Sequence, residues 1–132
     1  MPSVKREVIV ADGAPKPFAG APYSQAVRVG DFVFCAGQVP LDPDSGELVE
    51  GGIEEQTRRV MENIKAVLTG AGLSLENVCK ATVFVTDLAD FGAINTVYAE
   101  YFMFDPPARS TVQVAALPAG ARVEIEVVAA GC

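Results

Sequence analysis

Hydrophobic residues follow two different spacings along the chain, and the change between them predicts where strands and helices lie. Before residue 40, and again after residue 108, the apolar residues form short runs of the kind found in β-strands. In the segment that begins at residue 53 they recur at every third or fourth position, which is typical of an amphipathic helix. Six strands are predicted, at residues 5–10, 26–29, 32–36, 80–86, 109–115 and 122–129.

The first predicted helix begins at Ile53 and presents one apolar and one charged face. The glutamates at positions 54 and 55 precede arginines by four residues, an order that favours the ion pairs Glu54–Arg58 and Glu55–Arg59. Either of two glycines can end the helix in the left-handed conformation, Gly70 or Gly72. The apolar face consists of Ile53, Val60, Met61, Ile64, Val67 and Leu68.

A second helix is predicted between Asp87 and Phe102, with Asp87 or Asp90 as its N-cap. Pro106 and Pro107 then force an extended backbone into the next strand. The apolar face of this helix is predicted to consist of Phe91, Ile94, Tyr98, Tyr101 and Phe102.

The element order is therefore β-ββ-α-β-α-ββ within a single domain spanning residues 1–132. Two helices cannot cover both faces of a six-stranded sheet, so we expect them to share one face. The other face is then expected to be buried against another subunit. The strand at 80–86 is apolar on both alternations, as expected for a central strand covered on both sides.

Composition narrows the range of functions. The 132 residues include 17 acidic and 10 basic side chains, a formal charge of -7 that argues against binding to a nucleic-acid backbone. Histidine is absent, which excludes Ser-His-Asp and Cys-His catalysis and zinc sites that need imidazole. Any acid–base chemistry must then use carboxylates, Tyr, Lys, Cys or water.

The cysteines and the chain's apolar runs bear on its cellular compartment. Cys35, Cys79 and Cys132 are odd in number and widely spaced, so we expect free thiols rather than disulfides or a metal site. No apolar run reaches the ~18 residues of a membrane span, and the N-terminal residues do not resemble a signal peptide. These observations favour a cytoplasmic protein.

Three charged residues on the last two strands are candidates for chemistry. Arg109 follows a rigid proline segment, and its planar guanidinium matches a carboxylate in bidentate fashion; the alternative is a surface ion pair. Glu124 and Glu126 share the strand face that points away from the apolar core, and either can serve as a base. Solvent exposure or pairing at an interface is the alternative for both glutamates.

Two further side chains have both a structural and a functional interpretation. Asn95 lies close to the apolar stripe of the second helix, where it either bonds a loop carbonyl or contacts a ligand. Tyr23 ends a loop rich in Gly, Ala and Pro, where its phenol either packs or covers a pocket. The glycine pair before the first helix does not indicate a nucleotide site, because the two glutamates that follow would repel phosphate.

Several segments together resemble the Rid family, the reactive intermediate deaminases also called YjgF-like proteins. The likeness extends from about Tyr23 to Ala129 and is most specific in the Pro-Ala-Arg-Ser segment followed by Glu-Ile-Glu. The matching segments are residues 22–27, 37–43, 51–63, 81–88, 107–112 and 123–126.

The resemblance implies an α+β, chorismate-mutase-like fold, with a six-stranded mixed sheet and two helices on one face. It implies a homotrimer with clefts between subunits, and hydrolysis of 2-imino acids such as 2-iminobutanoate and 2-iminopropanoate without metal or cofactor. The family's carboxylate-binding arginine falls on Arg109, and its water-activating glutamate falls on Glu124. Its pocket tyrosine, asparagine and backbone contributors fall on Tyr23, Asn95, Gly37 and Thr111.

Three positions depart from the family pattern: Ala36 where many members carry Ser, Thr111 where some carry Cys, and Ala21 where Gly is usual. The last change alters the loop that carries Tyr23.

Two other functions stay open at this point, a non-catalytic carboxylate-binding or protein-protecting trimer and a pathway-specific hydrolase using the same pocket. The ribonuclease and translation-inhibitor roles described for some relatives are disfavoured by the net charge.

Overall fold

A computed structural model describes residues 5–131 and contains the predicted order of strands and helices. Each predicted element is present within a few residues of its expected bounds. The helices are α1 (Ile53–Gly70) and α2 (Phe91–Tyr101). The strands are β1 (Arg6–Ile9), β2 (Ala26–Val29), β3 (Phe32–Cys35), β4 (Val78–Val85), β5 (Ala108–Gln113) and β6 (Val123–Ala130).

The six strands form one mixed sheet in the order β1-β2-β3-β6-β4-β5. Only β4 and β5 pair in parallel, because α2 carries the chain back between them; the other neighbours are antiparallel. The last strand, β6, is inserted between β3 and β4. Both helices pack on one face of the sheet, as predicted, and share one hydrophobic core with its inward-facing residues.

Helix α1 has the predicted apolar face, but its ion pairs differ from those predicted. Gly72, at φ 77°, takes the left-handed conformation just beyond the helix end. Arg58 binds Glu100 of α2 at 2.8 Å, and Arg59 donates to Asn63 at 3.1 Å. The predicted pairs with Glu54 and Glu55 are therefore wrong, because α2 and the helix's own buried amide offer partners that the local spacing does not reveal.

Three polar side chains on α1 are buried although the apolar pattern did not predict it: Gln56, Thr57 and Asn63. The Asn63 amide donates to the carbonyl oxygens of Val39 and Leu41, at 3.2 and 2.9 Å. The Gln56 side-chain oxygen accepts the backbone N–H of Arg122 at 2.9 Å. These amides attach two irregular segments to the helix, one after β3 and one before β6.

Replacing Asn63 with alanine is expected to lower the free energy of unfolding by about 2–4 kcal/mol, because two buried carbonyls lose their donor and a small cavity forms. Urea unfolding at fixed protein concentration measures the change. Lys65→Ala, at an exposed position of the same helix, is the control and should stay within about 0.5 kcal/mol of wild type. Equal midpoints for the two variants would contradict this role of Asn63.

Asp87 and Asp90, the two alternatives for the N-cap of the second helix, both lie at its start and both accept hydrogen bonds there. Asp87 accepts the Ala89 N–H at 2.9 Å and opens a short 3₁₀ turn, while Asp90 binds Arg122 at 2.8 Å. The predicted apolar face was wrong at one position, since Phe91 is 41% exposed. Its ring lies against a charged side chain of the next strand instead of the core, as described below.

The sheet face opposite the helices carries the two predicted glutamates and several apolar side chains. Phe32 and Phe34 are each about half exposed there, at 49% and 48%. The side chains of Glu124 and Glu126 point to this face, while their neighbours on β6 are buried among the helices, as the alternation predicted. Covering of this face by a second subunit stays a prediction. Between residues 5 and 131, no helix is long and apolar enough to cross a bilayer.

Candidate functional site

A cavity of about 340 Å³ opens beside Glu124 on the sheet face away from the helices. Its walls are mostly apolar, and its two ionisable side chains of opposite charge are Glu124 and Lys16. We call it the Glu124 cavity. It is lined by Pro15, Lys16, Phe18, Tyr23, Gln25, Ala36, Gly37, Gln38, Val39, Leu41, Pro118 and Glu124.

The backbone around Gly37 is fixed against β6 next to Glu124. Gln38 and Ile125 exchange two backbone hydrogen bonds, at 2.9 and 3.1 Å, which extends the sheet beyond the end of β3. A Cβ atom at position 37 would lie 2.9 Å from Cδ of Glu124, closer than such contacts occur. Glycine therefore lets the carboxylate lie against the main chain in this position, and a side chain at 37 would displace it.

The environment of Glu124 favours its neutral form. Partial burial raises the pKa of the Glu124 carboxyl above its ordinary value of 4.5, and the charge of Glu126 on the same strand face raises it further. A carboxyl with a raised pKa is a stronger base when ionised. Such a shift in a cavity is also a mark of functional sites.

Tyr23 lies at the rim of the Glu124 cavity and is 43% exposed. Its hydroxyl oxygen accepts the backbone N–H of Phe18 at 3.1 Å, so its own O–H remains available to donate. The buried amide of Gln25 holds the neighbouring wall, accepting from Ala11 N at 2.7 Å and donating to Pro15 O at 2.9 Å. Gln25 could not be predicted as part of the site, because a buried glutamine leaves no distinctive spacing in the sequence.

A second group of candidate residues lies around Arg109, which contacts Asn95. Nη2 of Arg109 donates to Oδ1 of Asn95 at 2.7 Å. The guanidinium carbon lies 4.7 Å from the ring centre of Tyr98 and 5.4 Å from that of Phe91. Among residues 5–131, Arg109 forms no ion pair with a carboxylate, so its charge and most of its N–H donors are free for a ligand.

The chain does not bring Arg109 and Glu124 together. Arg109 pairs with Ala81 of β4, whose side chain is buried among the helices, whereas Glu124 pairs with Phe84 on the opposite face. Thr111 lies on the Arg109 side, two residues along β5. Strand β4 lies between the two groups, so each group contains only part of the site that the sequence predicts.

The thiols and other candidate ligands lie apart from both groups. Cys35 is buried and Cys79 exposed, and both are free; Cys132 lies outside the described residues. Burial raises the pKa of the Cys35 thiol to about 12, which leaves it protonated at neutral pH. Within residues 5–131, no group of three or more Cys, Asp or Glu side chains is placed to hold a metal ion.

Comparison with known proteins relates the whole architecture to one family. A relative in Mus musculus, 47% identical over 129 residues that cover 98% of this chain and 94% of its own, is named 2-iminobutanoate/2-iminopropanoate deaminase. A protein of Pyrococcus abyssi, 53% identical over 124 residues (94% and 96% coverage), is named only as a RutC family protein.

Solved structures agree with this relationship. RidA from a Psychrobacter species superposes with a TM-score of 0.89 at 46% identity, covering 95% of this chain and 99% of its own. E. coli TdcF, solved with bound serine, superposes with a TM-score of 0.89 at 41% identity, with 96% and 99% coverage. The family profile described as Endoribonuclease L-PSP matches residues 13–131. The chain therefore belongs to the Rid (YjgF-like) family and has its chorismate-mutase-like fold.

Proposed function

We propose that this protein hydrolyses 2-imino acids, such as 2-iminobutanoate and 2-iminopropanoate, to 2-oxo acids and ammonia. The observation that carries the proposal is the half-buried carboxylate of Glu124, which lines a mostly apolar cavity and has a raised pKa. The 47% identity to a mammalian protein named for this activity supports the same conclusion. Removing such reactive imines would limit damage to other metabolites and proteins.

Arg109 is proposed to hold the substrate carboxylate. Its fork keeps free N–H donors after Asn95 has taken one, and two of them match the two oxygens of a carboxylate. Anchoring the carboxylate fixes the adjacent imine carbon relative to the base, which lowers the entropic part of the barrier. That TdcF was solved with serine, which carries a carboxylate beside a nitrogen-bearing carbon, is consistent with this role.

Glu124 is proposed to activate water. It accepts a proton as the water oxygen bonds to the carbon of the protonated imine, the iminium, and the C=N electron pair moves onto nitrogen to give a neutral amine. The glutamic acid then protonates the resulting amine. The carbinol proton next passes to Glu124 as the C=O bond forms and the C–N bond breaks, and the departing ammonia takes that proton as ammonium.

Tyr23 and two main-chain positions are proposed to stabilise the tetrahedral intermediate. The Tyr23 O–H is free to donate because its oxygen already accepts a backbone N–H. Main-chain groups at Gly37 and Thr111 are proposed to complete the set of donors, which acts best when fixed before the reaction. No step in this scheme calls on a metal or cofactor, since an iminium carbon is already electrophilic.

A complete site is proposed to form between protomers of a homotrimer, Arg109 of one protomer facing the Glu124 cavity of the next. The separation of the two groups by β4 supports this arrangement, as does the half-exposed apolar face that carries Phe32 and Phe34. The closed symmetry of a trimer would repeat the site three times.

Mixing two inactive variants tests the shared site. Co-expression of Arg109→Ala and Glu124→Gln chains in equal amounts is expected to restore about one quarter of wild-type activity, because three quarters of random trimers are mixed and each mixed trimer has one intact site of three. Separately purified variants that are only combined without subunit exchange are the control. No recovery on co-expression, with mixed trimers present by mass, would show that each site lies within one chain.

The activity itself is tested by trapping. An amino-acid oxidase or dehydratase generates the imine, and semicarbazide captures whatever has not been hydrolysed. The wild-type protein is expected to reduce the trapped fraction in proportion to its concentration, and the heat-denatured protein is the control. Equal trapping with and without the native protein would reject the deaminase and favour a carboxylate-binding role.

A further inference from the structure

We propose that Tyr98 is a positioning residue for carboxylate recognition, acting as a rigid aromatic floor that fixes the guanidinium plane of Arg109. This inference rests on the proposed function, because it concerns how the substrate anchor is held. It assigns a role to the ring of Tyr98, which has no part in the reaction scheme above.

Three contacts set the orientation of the Arg109 side chain. The ring of Tyr98 lies 4.7 Å from the guanidinium carbon, the ring of Phe91 lies 5.4 Å from it, and Asn95 takes one N–H at 2.7 Å. A cation is attracted to the face of an aromatic ring, and a guanidinium also stacks on it. The two rings and the amide together restrict a side chain that otherwise has several rotatable bonds.

Of the two rings, that of Tyr98 is the fixed one. Tyr98 is 7% exposed, and its ring centre lies 4.8 Å from that of Phe102, so the core holds it from the side away from the solvent. Phe91, at 41% exposure, is free to adjust. The position of Arg109 therefore depends on the α2 core through Tyr98.

The hydroxyl of Tyr98 is buried and forms no well-aligned hydrogen bond among the described residues, although burial raises its pKa and the nearby Arg109 guanidinium acts against that rise. A buried hydroxyl without a well-aligned partner costs free energy of folding, so this group does not explain why tyrosine packs here. The face of the ring lies against Arg109. Loss of the ring and loss of the hydroxyl are thus expected to have different effects, which makes the proposal testable.

The test compares Tyr98→Leu with Tyr98→Phe in steady-state imine hydrolysis and in calorimetric binding of 2-oxobutanoate. Tyr98→Leu is expected to raise KM and the Kd of 2-oxobutanoate by about 3- to 30-fold, with kcat changed less than KM. Tyr98→Phe keeps the ring and is expected to stay within about twofold of wild type in both constants. Phe91→Leu, at an exposed position, should show a smaller rise in KM and serves if Tyr98→Leu does not fold.

Phe102→Leu is the matched control, since it removes a ring of similar burial that packs on Tyr98 but does not touch Arg109. It is expected to lower the unfolding midpoint as Tyr98→Leu does, while raising KM and Kd clearly less than Tyr98→Leu, because the ring that lies against Arg109 is still present. An equal rise in KM for Phe102→Leu, or unchanged constants for Tyr98→Leu, would overturn the positioning role.

Failure of the proposed function gives a different result. A wild-type protein that binds 2-oxobutanoate without hydrolysing imines would reject the deaminase while still allowing the Kd comparison to decide the role of Tyr98. A wild-type protein that neither hydrolyses imines nor binds 2-oxobutanoate would overturn both proposals.

Discussion

Replacing Arg109 with alanine is expected to lower kcat/KM for imine hydrolysis by about 30- to 1,000-fold, equivalent to about 2–4 kcal/mol, because the substrate carboxylate loses a bidentate charged partner. The loss should appear in KM and also in kcat, since the arginine is proposed both to bind the carboxylate and to fix the imine carbon relative to the base. Arg109→Lys is expected to recover only part of it, as an ammonium keeps the charge without the planar fork. Initial rates over a range of imine supply measure both constants.

Arg58→Ala is the matched control for the arginine variants. Arg58 pairs with Glu100 at the surface, and about half of each side chain is exposed, so its loss should change neither kcat nor KM. Wild-type kinetics for Arg109→Ala would contradict its assignment as the carboxylate anchor. A loss confined to kcat would instead point to a role in the chemical step.

Replacing Glu124 with glutamine is expected to lower kcat by about 10²–10⁴-fold, the usual contribution of a general base. Glutamine has nearly the same shape, so the contact with Gly37 and the assembly of the protein should be preserved. Activity near that of wild type would reject Glu124 as the base. Circular dichroism and the mass of the particle in solution confirm that the variant remains folded and assembled.

The pH dependence provides a second measure of the same residue. In the proposed mechanism Glu124 acts in its ionised form, so activity is expected to be lost as the pH falls through its pKa. Because burial and the charge of Glu126 raise that pKa above 4.5, the loss should begin at a higher pH than for an ordinary carboxyl. Glu126→Gln removes the neighbouring charge and should move the acid limb of kcat to lower pH. A limb that stays in place or moves upward would contradict this coupling.

The helices and strands were predictable from the sequence because each depends on the spacing of apolar residues within its own segment. The apolar spacing of α1 and the alternation around Glu124 follow from the period of a helix and of a strand, and the structure confirms both. The candidate side chains of Arg109 and Asn95 meet as a consequence of two correctly predicted elements.

Features that depend on distant parts of the chain could not be predicted in this way. Arg58 has suitable partners four residues before it, yet it binds Glu100, 42 residues later. Gln25 and Asn63 are buried because irregular segments need donors and acceptors, a demand that is invisible in their own surroundings. Arg109 and Glu124 are separated because β5 and β6 pair with opposite edges of β4 in registers that turn the two side chains to opposite faces, and no periodicity along the chain specifies this pairing.

The contact between Glu124 and the main chain at Gly37 also constrains how sequences of this kind can diverge. While a glutamate occupies position 124, a side chain at position 37 would have to push its carboxyl group aside. Because that carboxyl is the movable end of a side chain, the substitution would shift the proposed base away from the main chain without removing it. Sequences that keep the reaction are therefore expected to keep glycine at 37, whereas sequences that have abandoned it are free to vary at both positions.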